Sequence, residues 1–165
     1  SDKEGITMIL IACTDDVELQ SVADNSIWRN PQIFNRRYQL FRNVVPVLEA
    51  QENLFILARG AFESPEDGRP VIGDRSERSF FFIDGRMCYC CIRSIIPADY
   101  TGGIYVDACF SADSSPYIEP FITTLKRGLV NNGQDIAVYG VNGDDSGLVV
   151  LPGDPRWKQA EILLE

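Results

Sequence analysis

Two uninterrupted apolar runs constrain the fold of this chain more than any other feature. Residues 6–13 read ITMILIAC, and residues 54–58 read LFILA. Both have the length of a strand. A strand with one face in water alternates apolar and polar residues, whereas an unbroken run needs cover on both faces, as in a parallel sheet packed between helices. Residues 104–106 (IYV) and 136–141 (IAVYGV) have the same character. All four are expected in one sheet. Parallel neighbours cannot be joined by a tight hairpin, so the connections must cross over, usually through helices. The expected fold class is α/β: a three-layer α/β/α arrangement around a mostly parallel central sheet. The chain has 165 residues and nearly half are apolar, which suits one domain with a sizeable core.

The segments between these runs supply the rest of the expected elements. Residues 14–16 (TDD) form a loop and a helix cap. Residues 17–28 are compatible with a helix or with irregular structure. Pro31 is placed to start a helix in which Phe34, Tyr38, Phe41, Val45 and Leu48 recur at helical spacing, with Pro46 bending or ending it. Residues 63–78 carry Pro65, Asp67-Gly68, Pro70 and Gly73 and read as a long loop. Long loops over a strand end often bind ligands or act as lids, and disorder is an equal alternative. Residues 79–83 are extended, Asp84-Gly85 signals a turn, and residues 87–89 suit the returning strand of a hairpin. A helix is expected to begin within residues 90–96, before Pro97. Residues 118–129 repeat apolar side chains at helical spacing and end on Asn131-Asn132-Gly133. Residues 148–151 are expected as a short strand and residues 157–164 as a terminal helix. There is no internal repeat.

Composition removes several classes of function. The net charge is −9, so no basic face is available for nucleic-acid phosphates. No apolar run approaches the ~20 residues of a membrane-spanning helix. The amino end, Ser-Asp-Lys-Glu, is polar and acidic, unlike a secretory signal. The five cysteines are odd in number, and several sit in apolar runs, which points to reduced thiols and a cytoplasmic setting. Histidine is absent. No Ser-His-Asp triad, Cys-His dyad or His-ligated zinc can therefore be built from this sequence. Cys88-Tyr89-Cys90-Cys91 lacks the second ligand pair of a structural zinc site and reads as core. Gly143-Asp144-Asp145 reads as a solvated turn. No phosphate-binding glycine loop occurs, and no cofactor is expected.

Functional residues of open α/β sheets gather at the carboxyl ends of strands. Two short motifs fall there. One is Arg59-Gly60 after LFILA. The other is Asp107-Ala108-Cys109, in the stretch IYVDACFSA, where a thiol would lie on a turn at the sheet edge. A buried, structural cysteine is the simple reading of that segment taken alone. Arg59 lies 50 residues ahead of Cys109, the interval at which caspases place a histidine before their cysteine.

The pair LFILARG and IYVDACFSA resembles the caspase, metacaspase and legumain group of cysteine peptidases, with the related bacterial CHAT domains. In that group one strand ends in His-Gly and a later one in Asp-x-Cys or Ala-Cys. The resemblance spans residues 6–141 in order of elements and rests on these two motifs. It implies that Cys109 is the nucleophile and that Gly60, with Cys109, supplies the N–H groups of an oxyanion hole. It implies that Asp107 lines a pocket for a basic side chain at the cleavage position. Peptide or protein substrates are the implied partners; the oligomeric state, whether homo- or hetero-oligomer, is left open.

Arg59 is the departure from this pattern. Imidazole can give and take a proton near neutral pH, whereas guanidinium stays charged with a pKa above ~12. Arg59 could stabilise a thiolate by its charge but cannot relay a proton to a leaving amine. Proton transfer is worth ~10²–10⁴ in rate, so an inactive form is expected. Two other readings remain: a pseudoprotease that binds a peptide without cutting it, and an unrelated α/β domain with a structural cysteine. For Arg59 itself, an ion pair with Asp107 or Asp84 is the structural alternative.

Overall fold

The computed structural model describes residues 6–62, 68–75, 80–114, 118–143 and 149–162. The described residues form a mixed α/β protein built on a six-stranded, mostly parallel sheet and three α-helices. Strand β1 (Thr7–Ile11) has all five residues buried, as its unbroken apolar sequence requires. It lies between β2 (Phe34–Gln39) and β3 (Asn53–Leu57), parallel to both. A small antiparallel sheet follows, formed by β4 (Arg59–Phe62), β5 (Pro70–Arg75) and β6 (Phe80–Ile83). The main sheet continues from β3 to β7 (Ile104–Asp107) and β8 (Val138–Gly140), both parallel, and closes with β9 (Lys158–Gln159), antiparallel. Its strand order is β2-β1-β3-β7-β8-β9.

Successive residues of β1 and β3 point to opposite faces and so feed two cores. Met8, Leu10, Leu54, Ile56, Ile104 and Val106 pack against α2 (Gly85–Ile92) and α3 (Phe121–Asn131) through Cys88, Ile92, Phe121, Leu125 and Leu129. On the other face Ile9, Ile11, Cys13, Phe55 and Leu57 meet α1 (Val17–Arg29) through Leu19 and Ala23, with Trp157 alongside. Full burial of one such side chain is worth about 1.5–3 kcal/mol.

Residues 17–28, left open by the sequence, fall within α1. Asp16 caps it, taking the Leu19 amide on its carboxylate. The helix expected from Pro31 is instead a turn and then β2. Phe34 and Tyr38 are spaced as on a helix face, but β2 shifts register between Thr7 and Met8 of its partner. That bulge sends Phe34 to one core and Tyr38 to the other. The edge of β1 thereby gains a partner, and Phe34 packs edge-on against Phe55 with centroids 5.2 Å apart.

Further corrections concern the second half. The expected loop at 63–78 contains β5; residues 63–67 and 76–79 lie outside the described residues. Residues 87–89 belong to α2, not to a hairpin, because Asp84 caps the helix by accepting the Met87 amide at 2.8 Å. Cys88, Cys90 and Cys91 accordingly sit on that helix, and Cys90 is exposed. Residues 149–151 are irregular. The expected terminal helix is replaced by β9: the Trp157 indole donates to the Leu151 carbonyl and packs on Phe55 and Tyr105, and Ala160 donates to Val138. Edge pairing and an aromatic anchor outweigh helical periodicity here. The turn at 144–145 lies outside the described residues. No helix of the described residues is long and apolar enough to cross a membrane.

Candidate functional site

The two motifs emerge from adjacent parallel strands. Leu57 of β3 is the register partner of Asp107 of β7, and the Ala58 amide donates to the Asp107 carbonyl at 3.2 Å. Arg59 and Cys109 follow, each two residues beyond that pair. Gly60 lies directly against the backbone of Cys109. A Cβ at position 60 would sit 1.8 Å from the Cys109 carbonyl oxygen and 2.8 Å from its nitrogen. Only glycine fits, and its packing binds the corner after β3 to the corner after β7.

The Cys109 corner is a tight, tethered turn. Phe110 takes a positive φ of 63°, uncommon for a bulky residue. Its amide donates to Gly143, and the Ala112 amide to Val141, tying the turn to the segment after β8. Ser111 is buried; its hydroxyl donates to the Val106 carbonyl and accepts the Val141 amide. The Asp113 carboxylate takes the Gly143 amide. The Phe110 ring lies 5.8 Å from that of Phe62, at the end of β4. Between these supports Cys109 is half-buried and carries a thiol, not a disulfide sulfur.

Asp107 faces the interior. It is 3% exposed, and its carboxylate accepts the amide of Val150, which is itself buried. The carboxylate expected to meet a substrate therefore anchors the segment before β9 in this conformation.

Arg59 pairs with neither Asp107 nor Asp84. Its guanidinium turns toward the turn after β1, where Nε donates to Asp16 Oδ2 at 2.6 Å and Nη2 to Asp16 Oδ1 at 3.2 Å. Nη2 also reaches Glu18 Oε2 at 3.0 Å. The Asp16 hydrogen bond, and secondarily that of Glu18, pushes the Arg59 pKa further above its ordinary value. Proton release from this group is thus even less accessible than from a free arginine.

The turn carrying Asp16 is braced from β5. Asp74 is fully buried, and its Oδ2 accepts both the amide and the hydroxyl of Thr14. Oδ1 of Asp74 has no hydrogen-bond partner among the described residues. Sequence reasoning treated Asp16 as a helix cap and missed Glu18, Asp74 and Thr14 as neighbours of the motif. Glu18 carries only the signal of acidity after an apolar run, and Thr14 and Asp74 carry none that points to the motif; the contacts join residues 41–60 positions apart. The five cysteines are all thiols. Burial holds Cys88 far above its ordinary pKa and pushes Cys13 up to about 11. No protein-family model, curated protein or solved structure matches the chain.

Proposed function

We propose that the chain is a caspase-like α/β/α domain in a catalytically silent form, with Cys109 at the nucleophile position and Arg59 in place of histidine. The observation that carries the reading is the contact between Gly60 and Cys109. It makes the two motifs one corner, at the carboxyl ends of neighbouring parallel strands, where α/β folds hold their sites. The thiol at that corner is half-buried, and a turn tied by hydrogen bonds to Val106, Val141 and Gly143 presents it.

Silence follows from proton transfer. Peptide cleavage needs a group that accepts a proton on thiolate formation and returns one to the leaving amine. Arg59 is held as a cation by Asp16 and Glu18. The same ion pair favours the second reading, a pseudoprotease whose cleft holds a peptide without cutting it. A basic residue at the cleavage position remains the expected preference. Asp107 is 3% exposed and accepts the Val150 amide, so a contribution from it requires its carboxylate to become accessible.

The test compares the unmodified chain with Arg59→His on fluorogenic peptides ending in Arg, Lys or Asp, alongside iodoacetamide labelling of Cys109. The unmodified chain should label at Cys109 and show no Cys109-dependent turnover. Turnover gained by Arg59→His on the basic substrates would favour a silenced peptidase; no gain would favour the binding module. Cleavage by the unmodified chain, lost in Cys109→Ala, would refute both. A Cys109 that labels only on unfolding would return the chain to the unrelated α/β reading.

A further inference from the structure

We propose that the outer side of the layer formed by residues 40–48 and α2 is a docking surface for an anionic lipid bilayer, on which the chain lies without spanning it. The surface is separate from the Cys109 corner and does not depend on how that corner is read. The first observation is an uneven distribution of charge. The net charge is −9, with 24 acidic residues, yet residues 25–48 and 85–98 contain no acid at all. Those two stretches carry Arg29, Arg36, Arg37, Arg42, Arg86 and Arg93.

The fold brings parts of both stretches into one layer. Residues 44–49 form no helix, strand, turn or bend, and they cross the sheet on the face that α2 covers. Leu40 and Leu48 share one core with Cys88, Ile92 and Ile95, and Val45 packs against it. The Leu48 amide donates to the carbonyl of Ile95 at 2.8 Å, within the short helical turn Arg93–Ile95 that follows α2.

What faces inward fixes what faces outward. Val45 and Leu48 turn to the core, and Val44 and Val47 point away from it, 94% and 55% exposed. On α2, Cys88, Tyr89 and Ile92 are buried. Arg86, Met87, Cys90 and Arg93 are exposed and follow one another along the outer side at helical spacing. Arg86 and Arg93 have no ion pair among the described residues. The acids nearest this layer stand at its margins. Glu49 follows Leu48, Asp99 lies beyond Pro97, and Asp84 is engaged by the α2 cap and by Arg69.

Charge complementarity identifies the occupant. Exposed aliphatic side chains beside unpaired guanidinium groups suit a bilayer interface, where the apolar groups enter the acyl boundary and arginine meets anionic headgroups. Such contacts add over dispersed side chains and need no matching pocket, which suits a fluid surface better than a single protein partner. The acidic remainder does not forbid approach, because at physiological salt charge is screened over about 8 Å.

Vesicle co-sedimentation tests the surface. The unmodified chain should bind phosphatidylcholine vesicles that contain about 30% phosphatidylserine, should ignore vesicles of phosphatidylcholine alone, and should be released as salt rises. Arg86→Glu with Arg93→Glu should weaken binding by about tenfold or more, and Val44→Asp with Val47→Asp by a similar factor. All four side chains are exposed, so the circular-dichroism spectrum and melting temperature should be kept. Val17→Asp with Ser21→Asp is the control. It adds the same two charges at exposed positions of α1, across the sheet, and should bind like the unmodified chain. An unmodified chain that stays in the supernatant with phosphatidylserine vesicles would overturn the proposal, as would equal binding to both kinds of vesicle. An equal loss in the control would reduce the attraction to net charge and overturn it too. If vesicles do not bind but the chain self-associates, and Val44→Asp with Val47→Asp reverses this, the face is a protein interface and the lipid proposal falls.

Discussion

Position 59 holds a side chain that cannot relay protons but does hold the turn after β1 in place. Its partners are 43 and 41 residues away in sequence, so the motif could be read locally while the role of its arginine could not. Arg59→His should therefore carry a structural penalty beside any catalytic gain. Imidazole is too short to span to both acids, and Asp16 would lose its bidentate partner. With the guanidinium about one-third exposed, the cost should be about 1–3 kcal/mol, read as a fall in urea midpoint without a change in slope. An unchanged midpoint would show that the ion pair adds nothing. Gly60 behaves differently. A methyl group there collides with the Cys109 carbonyl, which belongs to backbone and cannot rotate away. Gly60→Ala should cost at least 1–3 kcal/mol, as overpacking does, and change the iodoacetamide rate at Cys109. A variant with unaltered stability and labelling would mean that the two corners are not in contact in solution.

The elements that sequence reasoning placed correctly are those whose apolar runs leave one solution. The strands at 54–58 and 104–106, and the helix expected from 118 that begins at Phe121, need cover that only a sheet interior or a helix face supplies. The misplaced elements were ambiguous for identifiable reasons. In β2 a bulge breaks the period of two, so its apolar residues imitate a helix. At α2 the dipeptide Asp84-Gly85 fits a turn and a helix start equally well. What decides is the carboxylate of Asp84, which takes the Met87 amide and leaves Gly85 as the first helical residue. This predicts an asymmetry between two conservative changes. Asp84→Asn keeps an oxygen acceptor and should cost only a few tenths of a kcal/mol. Asp84→Ala loses the cap and should cost about 1 kcal/mol. Equal losses in the two variants, measured by thermal unfolding, would show that the cap does not stabilise α2. The contact between Asp84 and Arg69, at 3.5 Å and largely in solvent, is too weak to alter that order.

Across the whole molecule the six-stranded sheet divides the interior into two cores, and each holds a buried thiol. Cys13 lies with α1 on one face and Cys88 with α2 and α3 on the other. Unfolding of either core alone would strip cover from the shared strands, so the two thiols should become reactive together, at the rate of global opening. Cys90 should react at once and Cys109 at a rate of its own, since one is exposed and the other half-buried. A faster reaction of Cys13 than of Cys88 would reveal separate opening of the α1 face. The same burial sets an alkaline limit. Desolvation is the main cause raising Cys13 from 9.0 to about 11, with the nearby acids Asp74, Asp16 and Asp15 adding to it. Cys88 is raised in the same direction, again chiefly by desolvation. A raised folded pKa means that the unfolded chain loses its proton first. The stabilisation is complete below pH 9, falls as pH rises through the window to about 11, and is gone above it. For Cys13 the loss should be on the order of 2 kcal/mol. Cys13→Ala should start lower, because it leaves a small cavity, and should then decline less steeply between pH 9 and 11. Parallel curves for the two proteins would place the alkaline loss elsewhere, in Cys88 or in the ion pairs.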